Sequence, residues 1–213
     1  MTGYFITFEG IDGSGKTAQA ELLQKRLKEK LIPVVCFRDP GATAISERIR
    51  DILLDKGNIL MSPWTELLLY ESARAQMVEE NINPALRENK IVICDRFFDS
   101  TTAYQGYGRQ LDLETVALAN RIGSCGLTPN MTFLIDVDVE IALHRRQKIN
   151  EKSDRLESEN IDFHERVRQG YLTIAGQEPD RVKIVKGNRT IDEVAEEIWN
   201  LVNQHVGLDK VNR

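Results

Sequence analysis

The run Gly10-Ile11-Asp12-Gly13-Ser14-Gly15-Lys16-Thr17 sets glycines, a lysine and a hydroxyl at the spacing G-x-x-x-x-G-K-T, the pattern of a triphosphate cradle. A triphosphate needs several donors converging on its oxygens. Glycines at 10, 13 and 15 let backbone N–H groups come that close and take the dihedrals this requires. Lys16 can reach the β- and γ-phosphates as a point charge, the Thr17 hydroxyl can ligate Mg²⁺, and the following helix offers its positive end. The other reading is a glycine turn beside a chance lysine. The context argues against it, because Tyr4–Phe8 reads as a buried strand before the loop and Ala18–Lys30 as a helix after it.

A second cluster follows the apolar segment Ile91–Cys94: Asp95-Arg96-Phe97-Phe98-Asp99-Ser100-Thr101-Thr102-Ala103-Tyr104-Gln105-Gly106. An Asp at a strand end can hold Mg²⁺ directly or through water, and the adjacent Arg can fork onto a second phosphate; alternatively the two form an ion pair that finishes the strand. Arg38, Arg50 and Arg74 are further arginines set among apolar or small residues, although single helical arginines ordinarily face solvent. No H-R-D loop supplies a base for an alcohol acceptor. A phosphate monoester needs none, since its second pKa is about 6 and its oxygen is already mostly deprotonated at neutral pH. Many arginines without an evident base therefore point to a nucleoside monophosphate as acceptor.

These residues require elements to hold them. Besides Tyr4–Phe8, short apolar strands are expected at Val34–Phe37, Ile91–Cys94, Thr132–Ile135 and Val182–Val185. Helical patterns cover about 44–56, 63–88, 113–124, 139–149, 160–177 and 190–205, with Thr190 capping the last. The alternation predicts an α/β fold, a parallel five-stranded sheet with helices on both faces in three layers, of the P-loop NTPase kind. Ligands of such sheets sit at the carboxyl ends of strands, where Gly10, Asp39, Asp95 and Asp136 fall. The charge-dense stretch of about 145–159 reads as a solvated loop taken alone; beside a triphosphate site, Arg145, Arg146, Lys148, Lys152 and Arg155 read as a basic lid.

Composition sets limits. The 213 residues fit one domain, and a net charge of -5, from 28 basic and 33 acidic residues, offers no surface for nucleic acid. No apolar run approaches a membrane span and no signal pattern opens the chain, so a soluble, cytoplasmic protein is expected. Cys36, Cys94 and Cys125 lie too far apart for a metal motif and read as free thiols; His144, His164 and His205 suggest neither a metal site nor a catalytic imidazole.

Over nearly its whole length the chain resembles bacterial thymidylate kinases. The resemblance is carried by Phe8–Thr17, by Arg38-Asp39-Pro40-Gly41-Ala42-Thr43 against the family's R-E-P-G-G-T, by Asp95–Phe97 with Ser100 and Ala103–Gly106, and by Asp154–Glu157 and Phe163–Val167. It implies transfer of the γ-phosphoryl group of ATP to dTMP, with Mg²⁺, in a homodimer joined through helices beside the acceptor site. The candidate ATP site is then Gly10, Asp12, Gly13, Ser14, Gly15, Lys16 and Thr17, with Arg145 over the adenine, and the metal candidates are Thr17, Asp95 and Asp12. On the acceptor side Arg96 matches the phosphate arginine, Tyr104 the aromatic crowding the sugar, Thr101 and Gln105 partners of the thymine ring, Tyr70 the stacking residue, and Arg74 the base's carbonyl edge. Asp12, Arg38, Arg50 and Ser100 complete the acceptor set, and the catalytic candidates are Lys16, Arg155, Asp12, Arg96 and Asp39. The chain departs from the pattern where Asp39 stands for Glu, where Ala42 stands for Gly, and in a lid with one residue inserted and no alternating arginines. Because Gly13 occupies the position where another branch carries arginine, the transition-state cation is expected from the lid.

Overall fold

The computed structural model describes residues 3–149, 155–156 and 158–207. Strands β1 (Tyr4–Glu9), β2 (Val34–Arg38), β3 (Ile91–Asp95), β4 (Met131–Asp136) and β5 (Val182–Lys186) form one sheet, parallel throughout, in the order β2-β3-β1-β4-β5. The expected sheet is present. β3 is buried along its whole length and β1 and β4 nearly so, while the edge strands β2 and β5 are partly exposed. That burial is why the inner strands are continuous apolar runs.

Alternate residues serve opposite layers. Ile6, Phe8, Ile93 and Phe133 pack with Leu23 and Leu27 of α1 (Lys16–Glu29) and with Ile198 and Trp199 of α9 (Ile191–Val206). Phe5, Val92 and Cys94 turn the other way, onto Met77, Val78 and Ile82, and Leu134 packs with Val167 and Ile174 of α8 (Ile161–Gln177). Each fully buried side chain of this size contributes about 1.5–3 kcal/mol. The remaining helices are α2 (Ala44–Leu54), α3 (Pro63–Met77), α4 (Asn83–Arg87), α5 (Phe98–Thr101), α6 (Leu113–Gly123) and α7 (Val139–Ile149). Local chemistry sets their starts: Ser62 caps α3 ahead of Pro63, Asn160 caps α8, and Thr190 forms a capping box with Glu193.

Two stretches differ from expectation. The helix expected over 63–88 is interrupted by a π turn at Val78–Ile82 before α4. Pro84 has no N–H and its ring would strike the carbonyl of Glu80, so a wider turn is the way through. The motif after β3, for which no element was predicted, is helical, with α5 running into a π turn at Thr102–Gly108. Its threonines, tyrosines and glycines are weak helix formers, and packing rather than propensity holds it. Among the described residues no helix is long and apolar enough to cross a membrane.

Candidate active site

The glycine loop leaves β1 at the carboxyl edge of the sheet and enters α1. Gly10, Gly13 and Gly15 take φ of 137°, 88° and 99°, and a Cβ on Gly10 or Gly13 would stand 2.6 Å from the Ile135 carbonyl oxygen or 2.3 Å from that of Ala142. Dihedral and space both exclude a side chain. Lys16 is buried in the first turn of α1 and its Nζ donates to Asp12 Oδ1 at 3.1 Å. Thr17 Oγ1 donates to Asp95 Oδ2 at 2.5 Å, and Asp95 Oδ1 is buried with no hydrogen-bond partner among the described residues.

Around this loop lies an open cleft of about 1570 Å³. Arg145, Arg146 and Lys148 line it from the last turns of α7, and Arg145 donates to the carbonyls of Ser14 (3.3 Å) and Gly187 (2.8 Å). These lid cations therefore stand on a helix. Lys152 lies outside the described residues. Arg155 does not line the cleft: its Nη1 is 2.6 Å from Glu66 Oε2 and its Nε donates to the Leu53 carbonyl at 3.0 Å. A fully buried carboxylate needs cations close by, and Arg155 supplies one.

Beside the cleft is a second cavity, about 540 Å³ with the solvent space at its mouth, lined by Asp12, Asp39, Arg50, Tyr70, Arg74, Arg96, Ser100, Thr101, Tyr104 and Gln105. The structure thus brings every acceptor-side candidate except Arg38 to one space. Arg96 follows β3 in the left-handed region, φ 71°, a conformation costing about 1–2 kcal/mol for a residue with a side chain. Its N–H donates to the Phe8 carbonyl at 2.9 Å, and its guanidinium donates to Asp12 (2.7 Å), Ser100 (3.0 Å), Tyr171 (2.9 Å) and Tyr104 (3.1 Å). Arg74 is buried: Nε donates to Asp39 at 2.6 Å, Nη1 to Glu71 at 2.5 Å and Nη2 to Thr101 at 2.8 Å. Arg50 donates to the Pro40 carbonyl at 3.0 Å. Arg38 instead projects outward from the end of β2, paired with Glu47, which also accepts from the Ala42 N–H at 2.8 Å. Ala42 keeps the left-handed conformation expected of the glycine it replaces, with φ 69°.

Burial and charge compete here. Burial would raise the Asp12 carboxyl, but the cations of Arg96 and Lys16 bring it well below the ordinary range. At Asp39 burial wins over Arg74 and the carboxyl is raised. At Glu9 burial, reinforced by the charge of Asp99, prevails against Arg96 and lifts the carboxyl to about 7. Glu9 Oε1 accepts from the Phe97 N–H (2.7 Å), and Oε2 accepts from Ser100 (2.6 Å) and Tyr171 (2.9 Å).

Sequence reasoning assigned no role to Glu9, Glu66, Arg109, Tyr171, Gly187 or Arg189. A charged residue closing the apolar run Tyr4–Phe8 marked Glu9, and a glycine just past β5 marked Gly187, where a Cβ would meet Val137, Ile135 and the Ser14 carbonyl at 2.7, 2.8 and 3.2 Å. Nothing in the chain order marks Glu66 or Tyr171, which reach the site from α3 and α8. At the strand's end Asp136 binds Arg168, at 2.8 and 3.1 Å.

A parallel sheet in this order, a glycine loop at the end of its central strand, and an arginine-lined cavity abutting the cleft define a P-loop kinase of small phosphorylated substrates. The thymidylate kinase family model matches residues 8–198, and the chain belongs to that family. The thymidylate kinase of Thermoanaerobacter sp. (strain X514) is 45% identical over 206 residues, covering 97% of this chain and 100% of that protein. That of Geotalea daltonii is 49% identical over 197 residues, covering 90% and 92%. A crystal structure of thymidylate kinase from Ehrlichia chaffeensis, 34% identical, matches with a TM-score of 0.78 over 95% of this chain and 100% of that one.

Proposed function

We propose that this chain transfers the γ-phosphoryl group of ATP to the phosphate of dTMP, giving dTDP and ADP in the supply of dTTP. The observation that carries the reading is Asp12, which lines both the cleft and the cavity and is hydrogen-bonded to Lys16 on one side and to Arg96 and Tyr104 on the other. Transfer between two nucleotides needs their phosphates to meet at one point, and among the described residues only Asp12 belongs to both spaces.

The loop amides and Lys16 hold the β- and γ-phosphates, and Arg145 lies against the adenine. Arg96 releases Asp12 to fork onto the dTMP phosphate, with Arg50 and Ser100 at its side. Tyr70 stacks on the thymine, Thr101, Gln105 and Arg74 meet its polar edge, and Tyr104 fills the space where a ribose 2′-hydroxyl would lie. Asp39, bonded to Arg74, acts by holding that arginine; Arg38 braces the following loop through Glu47. With the acceptor oxygen already ionised at neutral pH, charge neutralisation and alignment suffice, and no base is required. Of the lid cations Arg146 and Lys148 face the cleft, and Arg155 would have to leave Glu66 to join them.

Mg²⁺ fits the orphaned Asp95 Oδ1 beside the Thr17 hydroxyl. Among the described residues no cluster of three or more His, Cys, Asp or Glu forms a protein cage, which suits an ion bound mainly by phosphates and water. Held there by Asp95 and Thr17, the ion would supply charge neutralisation for the transferring phosphate. A homodimer is supported by exposed apolar side chains on neighbouring helices, Trp64 and Leu68 of α3 with Leu118 and Ile122 of α6. Sedimentation at two concentrations tests it. Three free cysteines suit the reducing cytoplasm. The deciding experiment is ADP release by the purified chain with ATP and Mg²⁺: addition of dTMP starts it, and release with dGMP or thymidine but not dTMP would sink the reading.

A further inference from the structure

Glu66 on α3 has no exposed surface and does not itself line the acceptor cavity. Its Oε1 accepts from Gln105 Nε2 at 2.8 Å and Arg109 Nε at 3.1 Å; its Oε2 accepts from Arg109 Nη2 at 3.1 Å and pairs with Arg155 Nη1 at 2.6 Å. Arg109 is braced in turn by Glu159 at 2.6 Å. Each of these partners of the carboxylate is a donor. Burial would raise its carboxyl, yet the bonds and charge of Arg109, the Gln105 amide and the charge of Arg155 keep it below the ordinary value.

An ionised carboxylate accepts and never donates. Gln105, buried beside it, must therefore turn its NH₂ group to Glu66, which makes its carbonyl oxygen the acceptor this side chain can offer the cavity that it lines. The opposite amide orientation would set oxygen against oxygen in a buried place, at the cost of the Gln105–Glu66 hydrogen bond. Across the cavity Arg74 can only donate. The space thus presents an acceptor at Gln105 and donors at Arg74. That order complements the N3–H and C4=O of a thymine or uracil ring and opposes cytosine, whose N3 is an acceptor and whose C4 carries an amine.

We propose that Glu66 is a specificity-determining positioning residue: it fixes Gln105 as a hydrogen-bond acceptor, and the site thereby rejects the cytosine nucleotide. The inference rests on the cavity being the dTMP site. Glu66→Gln removes the constraint, because Gln105 can then turn its oxygen toward the new amide and its NH₂ toward the ligand.

The test is kcat/KM for dTMP and for dCMP, with ATP and Mg²⁺, in the wild type, Glu66→Gln, Gln105→Ala and the double variant. A site built around matched hydrogen bonds discriminates strongly, so Glu66→Gln is expected to lower the dTMP:dCMP ratio at least about tenfold. In the Gln105→Ala background it is expected to change the ratio by less than about twofold, since its partner is gone. A folded Glu66→Gln variant that keeps the wild-type ratio, or one whose effect persists undiminished without Gln105, overturns the proposal. A wild type that uses dTMP no better than dCMP overturns the functional reading as well. Should Glu66→Gln not fold, the wild type decides by ¹⁵N NMR, with the Gln105 amide assigned from its loss in Gln105→Ala. That NH₂ group is expected to exchange slowly before dTMP is added and to stay so afterwards; free exchange in the unliganded chain overturns the proposal.

Discussion

The cleft proposed for the donor and the cavity proposed for the acceptor share Asp12 and are built on opposite principles. The cleft is made mainly by one contiguous loop of backbone amides, held open by glycines whose dihedrals no other residue takes without strain. The cavity is made by side chains from β1's loop, α2, α3, the turn after β3 and the helix behind it, cross-linked by the buried pairs Arg74–Asp39, Arg74–Glu71 and Arg96–Asp12. A phosphate is a charge of fixed shape that local backbone can satisfy. A base has a flat face and a polar edge, and recognising both takes groups approaching from several directions.

Four measurements would break or sharpen this contrast. Lys16→Ala should have the largest effect, a fall in kcat of about 10³-fold, because a charge acting on the transferring group is lost; a loss confined to the KM for ATP would make Lys16 a binding residue only. Next, Arg96→Ala should lower kcat/KM for dTMP about 100-fold with the KM for ATP unchanged, as expected when a charge-assisted fork is lost. An unchanged kcat and KM for dTMP would place the acceptor phosphate elsewhere.

Arg74→Ala leaves Asp39 and Glu71 buried without their cation, and should reduce stability by about 3–5 kcal/mol in urea unfolding. A small loss would mean that water reaches those carboxylates. The smallest effect belongs to the thymine methyl: at about 0.8 kcal/mol per buried carbon, dTMP should be preferred over dUMP about fourfold in kcat/KM, and a preference of hundreds would demand a different recognition of that face.

The pH dependence of stability separates the two regions again. Glu9 has a folded pKa of about 7, above the ordinary value of 4.5, so the folded state binds more protons between those limits and this group's contribution falls as pH rises through them. Asp12 has the opposite shift: its contribution is present above the ordinary 3.8 and is lost only in acid, as pH falls toward its depressed folded value. The urea midpoint should therefore fall less between about pH 5 and pH 7 in Glu9→Gln than in the wild type. Equal slopes would show that Glu9 is ionised throughout.

Much of the fold was legible because the signals that set it are local. The alternation of buried apolar runs with amphipathic segments gave five parallel strands, and Thr190 marked the start of the last helix by bonding its own next turn. The interruption at Val78–Ile82 was hidden because the apolar periodicity continues through Pro84, and the helix at Phe98–Gly108 was hidden because its residues favour no helix by themselves. Site residues divided along the same line. Candidates in motifs could be named in advance, whereas Glu66 and Tyr171 lie 39 and 71 residues from Gln105 and Ser100, the partners they bond.

By itself the sequence determined the glycine cradle, the order of strands and helices, and the presence of a second cationic motif after β3, because each depends on contacts among residues a few positions apart. Only the tertiary structure decided how the charges pair: that Arg155 meets Glu66, that Arg38 turns away to Glu47, and that Asp12 stands between two spaces. A buried charge takes as partner whatever counter-charge packing brings within a few ångströms, and no local pattern encodes that choice.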